Sequence, residues 1–286
     1  MNKSYANSDV LNFYKELPFN YYEDLDIAAK SIRNTNFSNF YPVLPPILNK
    51  GVKVLDVGCG VGWFVNAINF HYKEYGSSAS GIDYNSTAIK RADEIAFRLG
   101  IKSDFAEADL FRYKPKKRYD LVSSIGVLHH TNNCIYGLRH IFNHLVKPGG
   151  YAFIGLYHKY GRKPFLDHFD KLKMKGLDED QLLKEFNVLY SGSNDKQHTL
   201  SWFYDQVLHP HETQHSLAEL MPILHSEKME LVSTSINKFE LCRKEDELEL
   251  FEKEKQYYEL SIQKLRKKIY FPGFFVFLAK KAINHT

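Results

Sequence analysis

Val52-Lys53-Val54-Leu55-Asp56-Val57-Gly58-Cys59-Gly60-Val61-Gly62 is the stretch that decides the fold. Val52, Val54, Leu55 and Val57 form a short, β-branched apolar run of the kind that fills a parallel strand buried on both faces, and Gly58, Gly60 and Gly62 supply permissive backbone for a sharp turn. Trp63, Phe64, Ala67, Ile68 and His71 continue at helical spacing, which predicts strand, loop, helix. Such a glycine loop is where α/β proteins bind nucleotides, because bare backbone lets a ligand approach the first helical amides. The dinucleotide fingerprint needs its third glycine three positions after the second, where this chain has Trp63, and Asp56 puts a carboxylate where a pyrophosphate would be repelled. The expected ligand is a nucleoside carrying a positive charge.

The run VLDVGCGVG resembles motif I of the class I S-adenosylmethionine-dependent methyltransferases. The resemblance implies an α/β, Rossmann-like, seven-stranded and mostly parallel sheet with an antiparallel last strand and helices on both faces. It also implies S-adenosylmethionine as cofactor and S-adenosylhomocysteine as product. Gly58, Cys59 and Gly60 would pass under the methionine part, and Asp56 would help to hold its amino group. Three further elements follow in the family's order. Ser80-Gly81-Ile82-Asp83 reads as the end of a second strand, with Asp83 about twenty residues past the loop, where such folds place an acid on the ribose hydroxyls; Tyr84 would border the adenine. Phe105 to Leu110 reads as the third strand, and Ala108, Asp109 and Leu110 fall where the family meets the adenine amino group, although Asp109 suits a helix N-cap equally well. Tyr119 to His130 is a central strand running into a loop at the switch region of an open sheet. There the resemblance puts Ile125, Gly126, His129 and His130 beside the transferable methyl. Ser124-Ile125-Gly126 is neither the acid-or-amide, proline-proline motif of base-amino methylation nor the proline-cysteine of base-carbon methylation, so those two chemistries are not expected.

With 286 residues, 44% hydrophobic, the chain can bury roughly three quarters of its unfolded surface, which suits one α/β domain with additions. A net charge of +4 is modest, so nucleic acid is neither indicated nor ruled out. Three widely spaced cysteines without a C-x-x-C argue against a disulfide framework or a cysteine zinc site and fit a cytoplasmic protein. The N-terminus has no signal-peptide core and the longest apolar run, Phe274 to Ala279, is too short to span a bilayer, so no membrane association is expected.

Residues 1–49, rich in Asn, Tyr and Phe, are expected to form an N-terminal helical segment. Phe19, Tyr21 and Tyr22 either cover the cofactor as a lid or pack on the sheet. Residues 50–286 form the expected methyltransferase domain. Within it, 157–210 is an insertion after the fifth strand, where the family commonly builds its acceptor pocket, so a small-molecule acceptor is expected there. Pro222 should kink or restart a helix over 216–226. Residues 243–270 read as an additional charged helix whose Leu248, Phe251, Tyr258, Ile262, Leu265 and Ile269 form a seam. That seam packs on its own domain or joins a homodimer.

His130 and His209 are the candidate bases for deprotonating the acceptor, with His129, His211 and Tyr157 beside them; one or more of these histidines is equally expected to do no more than satisfy buried backbone. His211-Glu212-Thr213-Gln214-His215 also spells H-E-x-x-H, which on a helix would present two imidazoles to zinc. No third ligand is marked downstream, so an accessory metal site at His211, Glu212 and His215, or a metal-dependent hydrolase, is a remote alternative. An RNA-modifying methyltransferase on the same fold is a nearer one. A cofactor-binding scaffold without turnover is a third.

Overall fold

The computed structural model describes residues 5–192 and 194–283. Residues 1–4 of the expected N-terminal segment, 193 within the expected insertion and 284–286 at the end of the expected main domain lie outside the described residues. Seven strands make one sheet: β1 (Lys53–Val57), β2 (Ser78–Asp83), β3 (Asp104–Glu107), β4 (Tyr119–Ile125), β5 (Val146–Tyr157), β6 (Met229–Thr234) and β7 (Phe274–Lys281). Their order is β3-β2-β1-β4-β5-β7-β6. β1 lies between β2 and β4, parallel to both, and β7 is antiparallel to β5 and β6. This is the architecture expected above, down to the reversed last strand.

Side-chain alternation along β1 explains its near-continuous apolar character. Leu55 and Val57 enter one apolar cluster and Val54 enters the other, so the strand is buried on both faces. The Leu55 face packs under α7 (Cys134–His140), α11 (Leu217–Ser226) and α12 (Glu247–Lys255). The Val54 face packs under α2 (Leu25–Arg33), α3 (Phe37–Phe40), α4 (Pro45–Leu48), α5 (Trp63–His71) and α6 (Ser86–Leu99). Before them, α1 (Ser8–Glu16) is capped by Asn7, whose side chain accepts from the amides of Asp9 and Val10.

The insertion holds α8 (Lys159–Met174), α9 (Glu179–Leu189) and α10 (Lys196–Phe203), the last running into a π-helical turn at Tyr204–Leu208. These pack around a third apolar cluster that includes Phe165, Phe169, Phe186 and Phe203. α13 (Tyr257–Arg266) lies against α8. No helix among the described residues is long and apolar enough to cross a membrane.

Three expectations need correction. The third strand ends at Glu107, and Asp109 instead leads a turn, its carboxylate accepting from the Phe111 amide at 2.9 Å. α11 runs through Pro222 unbroken, its start secured by a capping box between Ser216 and Glu219. The helix expected over 243–270 is split at Gln256, and Leu248 of the proposed seam is 77% exposed. The buried line is Leu250, Glu254 and Ser261. Glu254 sets this rotation: its carboxylate accepts from the amides of Leu217 and Ala218 at 2.6 and 3.1 Å, the unsatisfied donors that open α11.

Candidate active site

The loop after β1 turns through left-handed backbone at Gly58, Gly60 and Gly62, with φ of 74°, 52° and 77°. Two of these glycines are also fixed by space. A Cβ on Gly58 would sit 2.5 Å from Val127 Cγ1 and one on Gly62 2.6 Å from Ala92 Cβ, whereas one on Gly60 would meet nothing nearer than the Phe19 carbonyl at 4.0 Å. Gly60 therefore presents bare backbone to open space, and that space is a cavity of about 960 Å³ including its mouth.

Asp83, at the end of β2, holds the loop to the strand. Its Oδ2 accepts from the Gly60 amide and its Oδ1 from the Asn85 amide, both at 2.8 Å. Each oxygen keeps a lone pair, and the residue lines the cavity. Burial raises its pKa, opposed by those same amides. Gly58, Tyr84, Ala108, Asp109, Leu110, Ile125 and Gly126 line the same cavity, so the expected cofactor set converges there with two departures. Asp56 is buried and is not among the residues that line it. Its Oδ1 accepts from Ser123 Oγ on the neighbouring strand at 2.7 Å, and burial pushes its carboxyl up to about 7. Cys59 is buried against Gly81, its thiol pushed well up by burial.

α1 and the segment after it roof the cavity with Val10, Leu11, Tyr14, Pro18 and Phe19. Phe19 thus covers the site, while the other two aromatics named from sequence pack elsewhere. Tyr22 stacks on His198 at 3.9 Å between ring centroids, and Tyr21 lies 4.8 Å under the Arg91 guanidinium.

Opposite the glycine loop, the wall is built by residues far apart in sequence. His130 lies on the 3₁₀ turn Leu128–His130 that follows β4. Its Nδ1 donates to the His211 carbonyl at 2.9 Å, which leaves Nε2 as a lone pair with no hydrogen-bond partner. Burial lowers its pKa to about 4. Asp205, 4% exposed, sits on the π-helical turn 3.9 Å from that nitrogen. It accepts from the hydroxyls of Tyr14 and Tyr157 and from Gln206 Nε2, the last two at 3.2 and 2.6 Å. Tyr14 and Asp205 also line the cavity.

Sequence reasoning missed both. Tyr14 carries no local signal, whereas Asp205 could have been found as the lone acid inside the apolar run Trp202-Phe203-Tyr204-Asp205-Gln206-Val207-Leu208, where a carboxylate must be paired or functional. Its π-helical turn belongs to a class of distortion often found at functional sites.

The remaining candidates support this wall from behind. His209 stacks on His130 with centroids 3.7 Å apart, its Nδ1 accepting from the His211 amide, and burial lowers its pKa to about 3. His129, fully buried, accepts from the Tyr157 amide through Nδ1 at 3.3 Å.

The run His211 to His215 is not helical, which corrects the zinc-helix alternative. Its backbone is drawn to neighbouring segments instead: the Thr213 amide donates to the His129 carbonyl and the His215 amide to the Tyr157 carbonyl. Glu212 is taken by Arg162 of α8, which is fully buried and pairs with it through Nε and Nη2 at 3.0 and 2.7 Å. Among the described residues no cluster of metal-ligating side chains could hold a metal ion.

A reversed-last-strand α/β sheet whose strand-end acid braces a glycine loop over a deep cavity defines the class of S-adenosylmethionine-dependent methyltransferase folds. The methyltransferase-domain family model matches residues 30–221, and the chain belongs to that family. Among curated relatives it is 29% identical over 114 residues to a ubiquinone biosynthesis O-methyltransferase of Klebsiella pneumoniae, covering 39% of this chain and 45% of that one. It is 31% identical over 133 residues to phosphoethanolamine N-methyltransferase 1 of Arabidopsis thaliana, covering 46% of this chain and 26% of that one. The chain thus spans less than half the length of these relatives. Among solved structures, PKMT2 of Rickettsia typhi in complex with AdoHcy superposes with a TM-score of 0.59 at 14% identity, covering 99% of this chain and 54% of that one. Magnesium protoporphyrin IX methyltransferase of Synechocystis with bound SAH superposes at 0.51 and 15% identity, covering 91% and 86%. At these identities the structures speak to the fold alone.

Proposed function

We propose that this protein transfers a methyl group from S-adenosylmethionine to a nucleophilic atom of a small-molecule acceptor. The observation that carries the reading is one continuous cavity with two chemically different ends: Asp83, Asp109 and the bare Gly60 backbone at one, His130, Tyr14 and Asp205 at the other. The first end fits the cofactor. Asp83 offers two acceptor oxygens for adjacent ribose hydroxyls, Ile82, Leu110 and Ile125 offer apolar surface for an adenine, and Gly60, which faces open space, leaves room for the methionine part because it lacks a side chain. Asp56 stays behind the cavity wall in this reading, held by Ser123 of the neighbouring strand.

Bound S-adenosylmethionine supplies an electrophilic methyl carbon on a positively charged sulfur. The residues of this chain supply position, exclusion of water and a proton acceptor. Val10, Leu11 and Phe19 cover the reacting space, and His130 Nε2, whose tautomer is fixed by the His211 carbonyl, takes a proton from the acceptor. His209 and His129 hold that imidazole in place by stacking and edge contact. A cytoplasmic location belongs to the same reading, supported by three buried free cysteines.

The test is transfer of radiolabelled methyl from S-adenosylmethionine to a panel of amines, phenols and carboxylic acids. Label in an acceptor, lost when Asp83 is replaced by alanine, supports the reading; no label in any acceptor, together with no affinity for the cofactor, sinks it.

A further inference from the structure

Resting on that reading, we infer that the acceptor is an amine, which enters as an ammonium ion and is recognised by Asp205, Tyr14 and His130. The groups at this end of the cavity have no hydrogen-bond donor left to offer. Asp205 as a carboxylate can only accept, the Tyr14 hydroxyl already donates its hydrogen bond to Asp205 Oδ1, and the only ring N–H of His130 already donates to the His211 carbonyl. The wall at this end of the cavity is therefore made of lone pairs. His130 Nε2 and Asp205 Oδ1, both on residues 4% exposed, stand 3.9 Å apart. That is too far for a hydrogen bond between them, and it is a gap that one N–H-bearing nitrogen bridges at ordinary lengths of about 2.8–2.9 Å. A carboxylate acceptor would bring lone pairs to lone pairs. An alcohol or phenol would bring one proton to three acceptors, whereas an ammonium group brings three.

Charge points the same way. The buried cluster behind the wall contains one cation, Arg162, and two carboxylates, Glu212 and Asp205. Arg162 is committed to Glu212 by two hydrogen bonds and makes no direct ion pair with Asp205; it connects to it through the Gln206 amide, which accepts from Arg162 Nη1 at 3.0 Å and donates to Asp205 Oδ2, and through the Tyr157 ring that it covers. The neighbouring histidines are kept neutral by burial. Among the residues lining the cavity there are three aspartates, and no lysine or arginine. Asp83 and Asp109 belong to the cofactor end, which leaves Asp205 as a carboxylate without a cationic partner, turned toward the acceptor. Val10 and Leu11, brought by the same helix as Tyr14, provide an apolar surface for the body of such an amine.

The chemistry balances. His130 Nε2 takes one proton from the ammonium group, and Asp205 lies across from the imidazolium that results. The freed lone pair on nitrogen forms a bond to the methyl carbon as the carbon–sulfur bond breaks, its electron pair remaining on sulfur. The products are a methylammonium ion and a neutral thioether.

The experiment is calorimetric titration of the full chain, saturated with S-adenosylhomocysteine, with three probes of one shape: 2-phenylethylamine, 2-phenylethanol and 3-phenylpropanoate. The amine is expected to bind at least tenfold more tightly than either of the others. In Asp205→Asn that preference should fall to within about twofold while S-adenosylhomocysteine still binds, and in Tyr14→Phe, which removes one acceptor but keeps the carboxylate, the preference should weaken less. No preference for the amine, whether all three probes bind or none does, overturns the inference, as does an unchanged preference in Asp205→Asn. Should Asp205→Asn instead weaken S-adenosylmethionine relative to S-adenosylhomocysteine and leave the probes unaffected, the charge of Asp205 serves the cofactor sulfur and the inference also fails. Failure of S-adenosylhomocysteine to bind the wild-type protein would reject the methyltransferase reading itself and is seen before any probe is added.

Discussion

Asp83 Oδ2 accepts a hydrogen bond from the amide of Gly60 at 2.8 Å, joining the end of the second strand to the loop that follows the first. One carboxylate thereby shapes the loop and still faces the cavity. Replacing it with alanine removes both the loop contact and the proposed ribose acceptors. With hydrogen bonds to a charged group worth about 1.5–3 kcal/mol each, S-adenosylhomocysteine should bind at least about 100-fold more weakly to Asp83→Ala. Calorimetry checks this, and unchanged affinity would remove Asp83 from the ribose.

Gly58 has two separate reasons to be glycine. Its φ is 74°, and a Cβ would meet Val127 at 2.5 Å. Gly58→Ala should destabilise the protein by about 1–3 kcal/mol in urea unfolding. Adding Val127→Ala should recover the steric part only. Full recovery in the double variant would mean that the backbone conformation carries no strain.

Arg162 is fully buried and holds Glu212 through two hydrogen bonds. Removing the cation strands a buried carboxylate, so Arg162→Met should lose about 3–5 kcal/mol of stability. Arg162→Met with Glu212→Gln should lose less than Arg162→Met alone. If the double variant is no more stable than the single, the pair is not the source of the loss.

The pH dependence combines two opposing groups of side chains. His130 and His209 are lowered by burial to about 4 and about 3, so below the ordinary histidine pKa of 6.5 the unfolded chain binds protons that the folded one does not, and stability falls as pH drops from 6.5 toward 4. Asp56 is raised by burial to about 7 and works in the other direction, since the folded state holds a proton that the unfolded chain releases above its ordinary pKa of 3.8. The Asp56 carboxyl thus adds stability as pH falls from about 7 toward 3.8. In Asp56→Asn this compensation is gone. The loss of stability between pH 6.5 and 5, read by urea unfolding, should be steeper in that variant than in the wild type; an equal or shallower slope would contradict the assignment.

The two histidines named from sequence are placed differently, and their variants should differ. His130 lines the cavity and His209 stacks behind it. In a methyl-transfer assay with an amine acceptor, His130→Ala should lose about 100-fold in rate, the scale of a lost general base. His209→Ala should lose less, and both should bind S-adenosylhomocysteine within a few-fold of wild type. A wild-type rate in His130→Ala would remove it as the base.

Much of the glycine-loop end of the cavity was legible because it is written locally. A buried strand, its glycine turn and an acid at a set distance are features of short segments, and Gly58, Gly60, Asp83 and Asp109 all reach the cavity. The acceptor end was not legible, because Tyr14 and Asp205 are 191 residues apart and meet only once α1 and the insertion both close over the sheet. The placement of Asp56 outside the cavity lining was hidden for a related reason. Its place in the motif is a matter of sequence, whereas the direction of its side chain depends on Ser123, a partner on another strand. Similarly, nothing in His211 to His215 shows that Arg162 will claim Glu212, or that a neighbouring strand end will claim the backbone. The seam over 243–270 followed helical periodicity and missed Glu254, a buried carboxylate whose amide partners on α11 override the apolar pattern.

The most direct measurement is a thermal-shift comparison of S-adenosylmethionine, S-adenosylhomocysteine, NAD and zinc on the full chain. A ligand at a hundred times its dissociation constant adds about 2.7 kcal/mol, or several degrees at roughly 2–4 °C per kcal/mol. A rise with the two sulfur nucleosides and none with NAD or zinc is the expected result. A rise with NAD or zinc alone would contradict the assignment of the glycine-loop cavity to S-adenosylmethionine.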